Sequence, residues 1–427
     1  MAADLAKDVK LTLRALAANP LFSIVVVLTL ALGIGANTAI FSVINAVVLR
    51  TLPVRDPQNI VLLRTEPNQP NGAGNTGDSE TSFSEYVFEQ LRNDKSAFSD
   101  VMGYVPMGFN KIAVRSGNRM EEVAGEMVSG NYFTALGVPA QCGRLLTPQD
   151  ERDHTQVIVL GFGYWKRSFA GACSVVGQPL FIKGVPFTIV GVAGPRFIGL
   201  GGTPDDFWVP LQTRPDFNAW GSQEDNYYAA PNWWCILLAA RLARGLTPQQ
   251  AQAAATPTFL RAAYAHLGAK PKPGEKPVAL KLAEARGLAG YRESYQGPLA
   301  ILFAMVAAIL IIACGNVSLL LAARNMARSR EFAIRLALGG SPGRLFRQLL
   351  AESVLLVFVG AALAWIFAVI ATRALAHWSN IEASLTPDTR VLVFTLLVSI
   401  AAALAFGFVP LLRVARASVG DVLKTSG

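Results

Sequence analysis

The sequence predicts an integral membrane protein. Four transmembrane α-helices are expected, with a large α+β domain outside the membrane inserted between helices 1 and 2. Three observations carry this reading. Only 16% of the 427 residues are charged, where a water-soluble chain carries about a quarter, and mean hydropathy is +0.37. Four long runs lack Asp, Glu, Lys and Arg altogether. Most of the net charge of +9 sits in segments that flank those runs. The 24 prolines, spread through the chain, speak against one continuous helical bundle.

The elements follow in order. Residues 1–18 carry Lys7, Lys10 and Arg14 among Leu5, Val9, Leu13 and Leu16, the pattern of an amphipathic helix on a membrane surface. Residues 19–50 contain the first uncharged run, Leu21 to Leu49, which is too long for a signal-peptide core and reads as an uncleaved anchor. Residues 51–292 form the large domain. Residues 293–323 hold the second span, 324–352 a cytoplasmic coupling segment and 353–372 the third span. A short outer loop (373–390), the fourth span (391–412) and a cytoplasmic tail (413–427) complete the chain. Each run has about 20 residues or more, enough at 1.5 Å per residue to cross a hydrocarbon core of roughly 30 Å.

Lys and Arg orient the spans. The N-terminus, segment 324–352 and the tail together hold 12 basic and 5 acidic residues, a net +7. The region from Arg50 to Glu293 nets only +2, and the 373–390 loop is neutral. Both termini and the coupling segment are therefore expected in the cytoplasm and the large domain outside. Basicity is thus a topology signal, and no nucleic-acid partner is expected.

Within the large domain, Glu66 to Glu80 reads as an exposed loop and Phe83 to Leu91 as a helix with Phe83, Val87, Phe88 and Leu91 on one face. Val157–Leu160 reads as a buried strand, Pro179–Val192 as a hairpin turning at Lys183–Gly184, and Trp233–Leu242 as strand. Thr247 followed by Pro248 starts a helix running toward Leu267, and Ala269–Pro277 is a linker. Gly72, Gly74 and Gly77 match a dinucleotide-binding spacing, but they follow a Pro/Asn-rich loop instead of a strand. No Gly-x-Ser-x-Gly or His-Glu-x-x-His occurs, so the chain is expected to be non-catalytic. His154, His266 and His377 are isolated, and the four cysteines form no Cys-x-x-Cys, so no metal site is expected. An oxidising compartment permits a disulfide among Cys142, Cys173 and Cys235, with the pairing open.

Several motifs carry a family resemblance. Asn19–Phe22 (NPLF), Leu28–Arg50 (LTLALGIGANTAIFSVINAVVLR) and Leu52–Pro53 resemble MacB/FtsX-type ABC-transporter permeases, particularly the duplicated orphan permease branch. Gly130–Val138 (GNYFTALGV), Gly143–Arg144, Trp165 with Phe169, Val176–Gly177 and Ile189–Val192 resemble the MacB-like periplasmic core domain. Arg330–Gly339 (REFAIRLALG) resembles the segment after the second span of these permeases. The resemblance implies a bacterial inner-membrane subunit with four helices and a two-lobed periplasmic domain. It also implies a homodimer or a heterodimer with a second permease, and a periplasmic adaptor. A cytoplasmic ABC ATPase would bind ATP and Mg, with no cofactor in this chain. About 20 residues precede the first span, so the ATPase is expected on a separate polypeptide. One four-helix set is present where that branch has two.

The coupling segment is the candidate site. Arg328, Glu331 and Arg335 share one face of a short helix beside apolar Phe332 and Leu336, and Gly339 begins its stop. Pro342 then restarts a helix that runs into the third span. Such a surface suits docking to a cytoplasmic ATPase; the alternative is a headgroup anchor on the lipid bilayer. Asn37, Asn45 and Asn316 are expected to hydrogen-bond between helices, and Gly33 and Gly35 to allow close approach. The expected function is that of a permease subunit coupling ATP hydrolysis by a partner to motion of a periplasmic domain, for efflux or mechanotransmission. The alternative is a membrane-anchored periplasmic binding or regulatory module not coupled to ATP.

Overall fold

The computed structural model describes residues 19–49, 52–66, 69–70, 72–75, 79–107, 111–195, 197–201, 204–217, 230–267, 277–286, 291–327, 334, 342–378 and 387–416. Two compact units are present: residues 1–49 with 293–427, and residues 50–292. The amphipathic segment 1–18 and Arg328, Glu331, Phe332, Arg335, Leu336 and Gly339 lie outside the described residues.

The chain enters through α1 (Pro20–Ile44), whose last turn widens into a π turn over Asn45–Leu49. The second unit opens with β1 (Ile60–Glu66), β2 (Gly74–Asn75), β3 (Ser82–Phe83), α2 (Glu85–Asn93) and β4 (Phe98–Pro106). It continues through β5 (Ile112–Ser116), β6 (Arg119–Val123), β7 (Gly125–Val128), α3 (Tyr132–Leu136) and β8 (Ala140–Gly143). Then come α4 (Pro148–Arg152), β9 (Val157–Leu160), α5 (Phe162–Phe169), β10 (Pro179–Ile182), β11 (Val185–Ala193) and β12 (Phe207–Pro210). The chain closes the unit with β13 (Trp233–Trp234), β14 (Ile236–Leu242), α6 (Pro248–Tyr264) and β15 (Ala279–Glu284).

One sheet runs β15-β1-β14-β4-β7-β12-β9-β11-β10-β5-β6, with β3 beside β14 and β8 beside β11. Along this path only β7–β12 and β9–β11 pair in parallel. Helices α2 and α6 cover part of one face, burying Val87, Phe88, Leu91, Ala255 and Phe259 against Val61, Val101 and Leu238. Tyr132, Phe133, Leu136, Phe197 and Trp208 fill a second core. Each such large side chain contributes about 1.5–3 kcal/mol by leaving water.

Local chemistry sets the boundaries. Thr247 forms a capping box with Gln250 ahead of Pro248, which starts α6 where the sequence places it. Lys183 and Gly184 both take positive φ, 48° and 91°, as a two-residue hairpin turn demands. α2 begins later than its apolar spacing suggests, because Ser84 accepts the Val87 N–H as N-cap while Ser82–Phe83 pairs with β14. The Trp233–Leu242 stretch breaks at Cys235 into two strands. Gly74, from the dinucleotide-like spacing, lies in a two-residue strand against Trp233, whose ring leaves no room for a Cβ.

Cys142 on β8 is disulfide-bonded to Cys173, which begins a 3-10 turn. Cys235 keeps its thiol, buried and accepting a hydrogen bond from Arg214. The bridge spans 31 residues of sequence, so the chain-entropy model assigns it about 3–4 kcal/mol. Cys142→Ser or Cys173→Ser should lower the unfolding free energy by that amount. Reductant should bring wild-type chain down to the same value and leave both variants unmoved in denaturant titrations.

The first unit is completed by α7 (Tyr291–Ala327), α8 (Pro342–Trp378) and α9 (Thr389–Arg416). Pro20–Leu49, Tyr295–Ala327 and Leu350–Leu375 are long and apolar enough to cross a membrane; the described apolar part of α9 is Thr389–Leu404. Helix α8 begins 11 residues before the uncharged run that starts at Ser353 and continues past Arg373.

Candidate functional site

Helix α1 is the hub of the membrane unit, packing on α7, α8 and α9 through Val26, Leu30 and Ile34. Small residues set its distance from α8. A Cβ at Gly35 would stand 2.8 Å from Phe367 and 3.2 Å from the Ala364 carbonyl, and one at Gly360 would stand 3.0 Å from Leu30. Gly33 faces Leu310 of α7 in the same way, at 3.0 Å. With lipid as apolar as the helices, such close contact supplies the packing that holds them together.

A row of polar side chains on α1 then bonds outward. Asn37 Nδ2 donates to the Val306 carbonyl of α7 at 2.9 Å, and the hydroxyls of Thr38 and Thr395 lie 3.0 Å apart, one donating to the other. Phe41, Phe303 and Phe394 meet beside them, bringing α1, α7 and α9 together. At the π turn, Asn45 Nδ2 donates to Asp388 Oδ2 at 2.8 Å, and Arg390 donates to the Leu49 carbonyl at 3.1 Å. Asp388 Oδ1 accepts the N–H groups of Arg390 and Val391, so one carboxylate caps α9 and holds α1.

Asn37 and Asn45 therefore bond as the sequence suggests, whereas Asn316 is exposed on α7. The roles of Thr38 and Asp388 are not legible in the sequence. Thr38, Ser42 and Asn45 recur at helical spacing on one face, a signal the residue types alone conceal. An apolar groove of about 570 Å³ runs between α8 and α9, lined by Leu350, Val354, Phe358, Trp365, Leu396 and Ile400. Its hydroxyls, Thr395 and Ser399, already donate to the Val391 and Thr395 carbonyls. Among the described residues no cluster of three or more His, Cys, Asp or Glu could hold a metal ion. The arrangement joins α1 to α8 by close packing and to α9 by paired polar bonds.

Comparison with known proteins places these helices. Residues 23–258 match the model for the MacB-like periplasmic core domain, and residues 302–419 match the FtsX-like permease C-terminal model. A pyoverdine export ATP-binding/permease protein, PvdT of Pseudomonas syringae pv. tomato, is 27% identical over 322 residues, covering 74% of this chain and 45% of that protein. A macrolide export ATP-binding/permease protein, MacB of Azoarcus sp. strain BH72, is 24% identical over 420 residues, covering 97% of this chain and 58% of that protein. The chain thus spans about half the length of the curated relatives it matches. The periplasmic region of MacB from Actinobacillus actinomycetemcomitans aligns at 14% identity and a TM-score of 0.38, over 57% of this chain and 94% of that one. With the core-domain model alone matching more than half of its residues, the chain belongs to the MacB/FtsX-type permease family.

Proposed function

We propose that the chain is the permease subunit of a MacB-like ABC transporter, which converts ATP hydrolysis by a separate cytoplasmic ATPase into motion of its periplasmic domain. It works in a bacterial inner membrane as a homodimer, or as a heterodimer with a second permease, beside a periplasmic adaptor. Four helices cross the bilayer, with both termini in the cytoplasm. ATP and Mg belong to the partner, and the work is efflux or mechanotransmission.

The observation that supports this best is the continuity of α8. Its 37 residues extend about 55 Å, well beyond a hydrocarbon core of roughly 30 Å, and its first turns lie inside the coupling segment 324–352. A push on that end travels along an unbroken helix to the close contact with α1 at Gly35 and Gly360. Arg328, Glu331, Phe332, Arg335, Leu336 and Gly339 are the docking residues in this reading.

Affinity capture of the full chain in mild detergent should recover an ABC ATPase. Phe332→Asp or Leu336→Asp should weaken that pairing roughly 30-fold or more, as losing a central interface anchor does, with the outer domain still folded. Full ATP-dependent activity after both changes would remove the docking assignment. Recovery of no ATPase would favour the anchored binding module.

A further inference from the structure

The Cys142–Cys173 bridge is buried at one end and open at the other. Cys142, on β8, is 8% exposed and belongs to the same core as Trp165 and Val175. Its strand is registered on β11 through Cys142 with Val192 and Gly143 with Gly191. Gly143 takes φ 64°, and a Cβ there would collide with the Val190 carbonyl, so β8 lies tight against its neighbour.

Cys173 is exposed, between the exposed residues Ala172 and Ser174. Those two side chains are too short to shield its sulfur. The whole of Gly171–Gln178 is uncharged, so no carboxylate of this segment repels an approaching thiolate.

The segment is also anchored without the bridge. Trp165 of α5, 5% exposed, donates its indole N–H to the Ala172 carbonyl at 3.0 Å. Val175 is 2% exposed. The Gly177 N–H donates to the Ile189 carbonyl of β11 at 2.7 Å, and the Ile189 N–H donates to the Gln178 carbonyl at 2.9 Å. Gly171 and Gly177, at φ 74° and 91°, turn the chain on either side of Cys173 at no steric cost. None of these contacts passes through sulfur, so they hold the segment in place when the S–S bond is cut.

We propose that Cys173 is a thiol-exchange site, attacked by an external dithiol while the outer domain stays folded. Exchange begins when a thiolate reaches one sulfur of a disulfide, and access decides which sulfur that is. With Cys142 buried in a paired strand, the Cys173 Sγ is the one open to water. One thiolate of the dithiol bonds to the Cys173 Sγ as the S–S bond breaks, and the Cys142 Sγ leaves with the electron pair and takes a proton. The second thiolate of the dithiol then attacks its own sulfur in the mixed disulfide, and Cys173 leaves and is protonated in turn. Two electrons and two protons pass to the cysteine pair, and the dithiol becomes a disulfide. The stabilisation that the bridge supplies therefore follows the thiol–disulfide balance of the compartment. The site belongs to the outer domain's own chemistry and stands whether or not an ATPase drives the membrane helices.

Two measurements on the full chain in mild detergent test this. Brief exposure to reduced glutathione, acid quenching and peptide mass mapping should find the mixed disulfide on Cys173 at least about tenfold more often than on Cys142. Reduction by dithiothreitol should be first order in reductant, and its rate should change by less than about twofold in urea below the unfolding transition. A bridge reached only through unfolding would instead be reduced roughly fivefold faster, or more, per molar urea. The single-cysteine variants supply an independent reading. With Cys142→Ser, the thiol at Cys173 should react with a maleimide at least about tenfold faster than the thiol at Cys142 does in Cys173→Ser. A glutathione adduct that favours Cys142, or a reduction rate that climbs with urea as unfolding does, would overturn the proposal. If either variant does not fold, the two wild-type measurements decide the matter.

Discussion

Glu151→Ala should cost the outer domain about 3–5 kcal/mol, the range seen when one partner of a buried ion pair is removed. The Glu151 side chain is 5% exposed and fully engaged. Arg92 Nη1 and Nη2 donate to its two oxygens at 2.9 Å each, the Gly130 N–H donates at 2.8 Å and Gln212 at 2.9 Å. Deletion orphans three sets of donors on three separate segments and leaves Arg92, among the described residues, the exposed Glu89 as its carboxylate partner at 3.3 Å. Glu151→Gln should be milder, because an amide oxygen still accepts from Gly130. Denaturant unfolding followed by tryptophan fluorescence gives both values, and a cycle with Arg92→Ala gives the coupling. A loss below about 1 kcal/mol would place this pair with ordinary surface bridges.

The same residue makes the outer domain sensitive to acid. Burial alone would raise the Glu151 carboxyl, but the bonds from Arg92, Gly130 and Gln212 outweigh it and hold the group below its ordinary value. Asp150, clasped by Arg144 and Thr147, is drawn down to about 2 despite its burial. Groups lowered in this way contribute stability that is complete above about pH 4.5 and is lost as pH falls through their folded values. Glu126, which burial pushes up to about 7, contributes in the opposite sense. The outer domain should therefore be most stable in mildly acidic medium, where the first set is ionised and the second still holds its proton.

What the sequence made legible is what depends on composition and short spacing. Uncharged runs located three helices long and apolar enough to cross a membrane, because a charge in hydrocarbon is costly wherever it falls in a run. The α6 start and the β10–β11 turn were legible because Thr247, Pro248, Lys183 and Gly184 act on their immediate neighbours. The contacts that concern function were not, because they join distant positions. Asn45 meets Asp388, Thr38 meets Thr395 and Arg92 meets Glu151. No local pattern distinguishes Glu126 or Glu151 from a surface glutamate. The coupling residues are a different case: Arg328, Glu331, Phe332, Arg335, Leu336 and Gly339 lie outside the described residues, so their role rests on pattern and resemblance.

Gly35→Leu should have the largest effect of any single change in the membrane unit. The Cβ alone would stand 3.3 Å from the Ala364 Cα and 3.2 Å from its carbonyl oxygen, and backbone cannot turn aside as a side chain does. Helices α1 and α8 must separate, emptying the Leu30, Ile34, Val357 and Ala364 contacts that make the core of this unit. Forced overpacking costs about 1–3 kcal/mol for a few added methylenes, and a leucine at a helix crossing belongs at or above the upper end. Gly360→Ala meets the Leu30 Cβ at 3.0 Å and the Val27 carbonyl at 3.6 Å and should cost less because it adds one methyl group, while Gly315 on α7 has nothing within 4 Å of its Cβ position and is the control. The comparison isolates packing because intrinsic helix preference runs the other way: leucine should favour a helix over glycine by up to about 1 kcal/mol at each position. In thermal unfolding in mild detergent, Gly315→Leu should therefore match or exceed wild type and Gly35→Leu should fall well below it. Equal melting of the two variants would mean that α1 and α8 do not touch at Gly35, and the path by which α8 moves α1 would be lost with that contact.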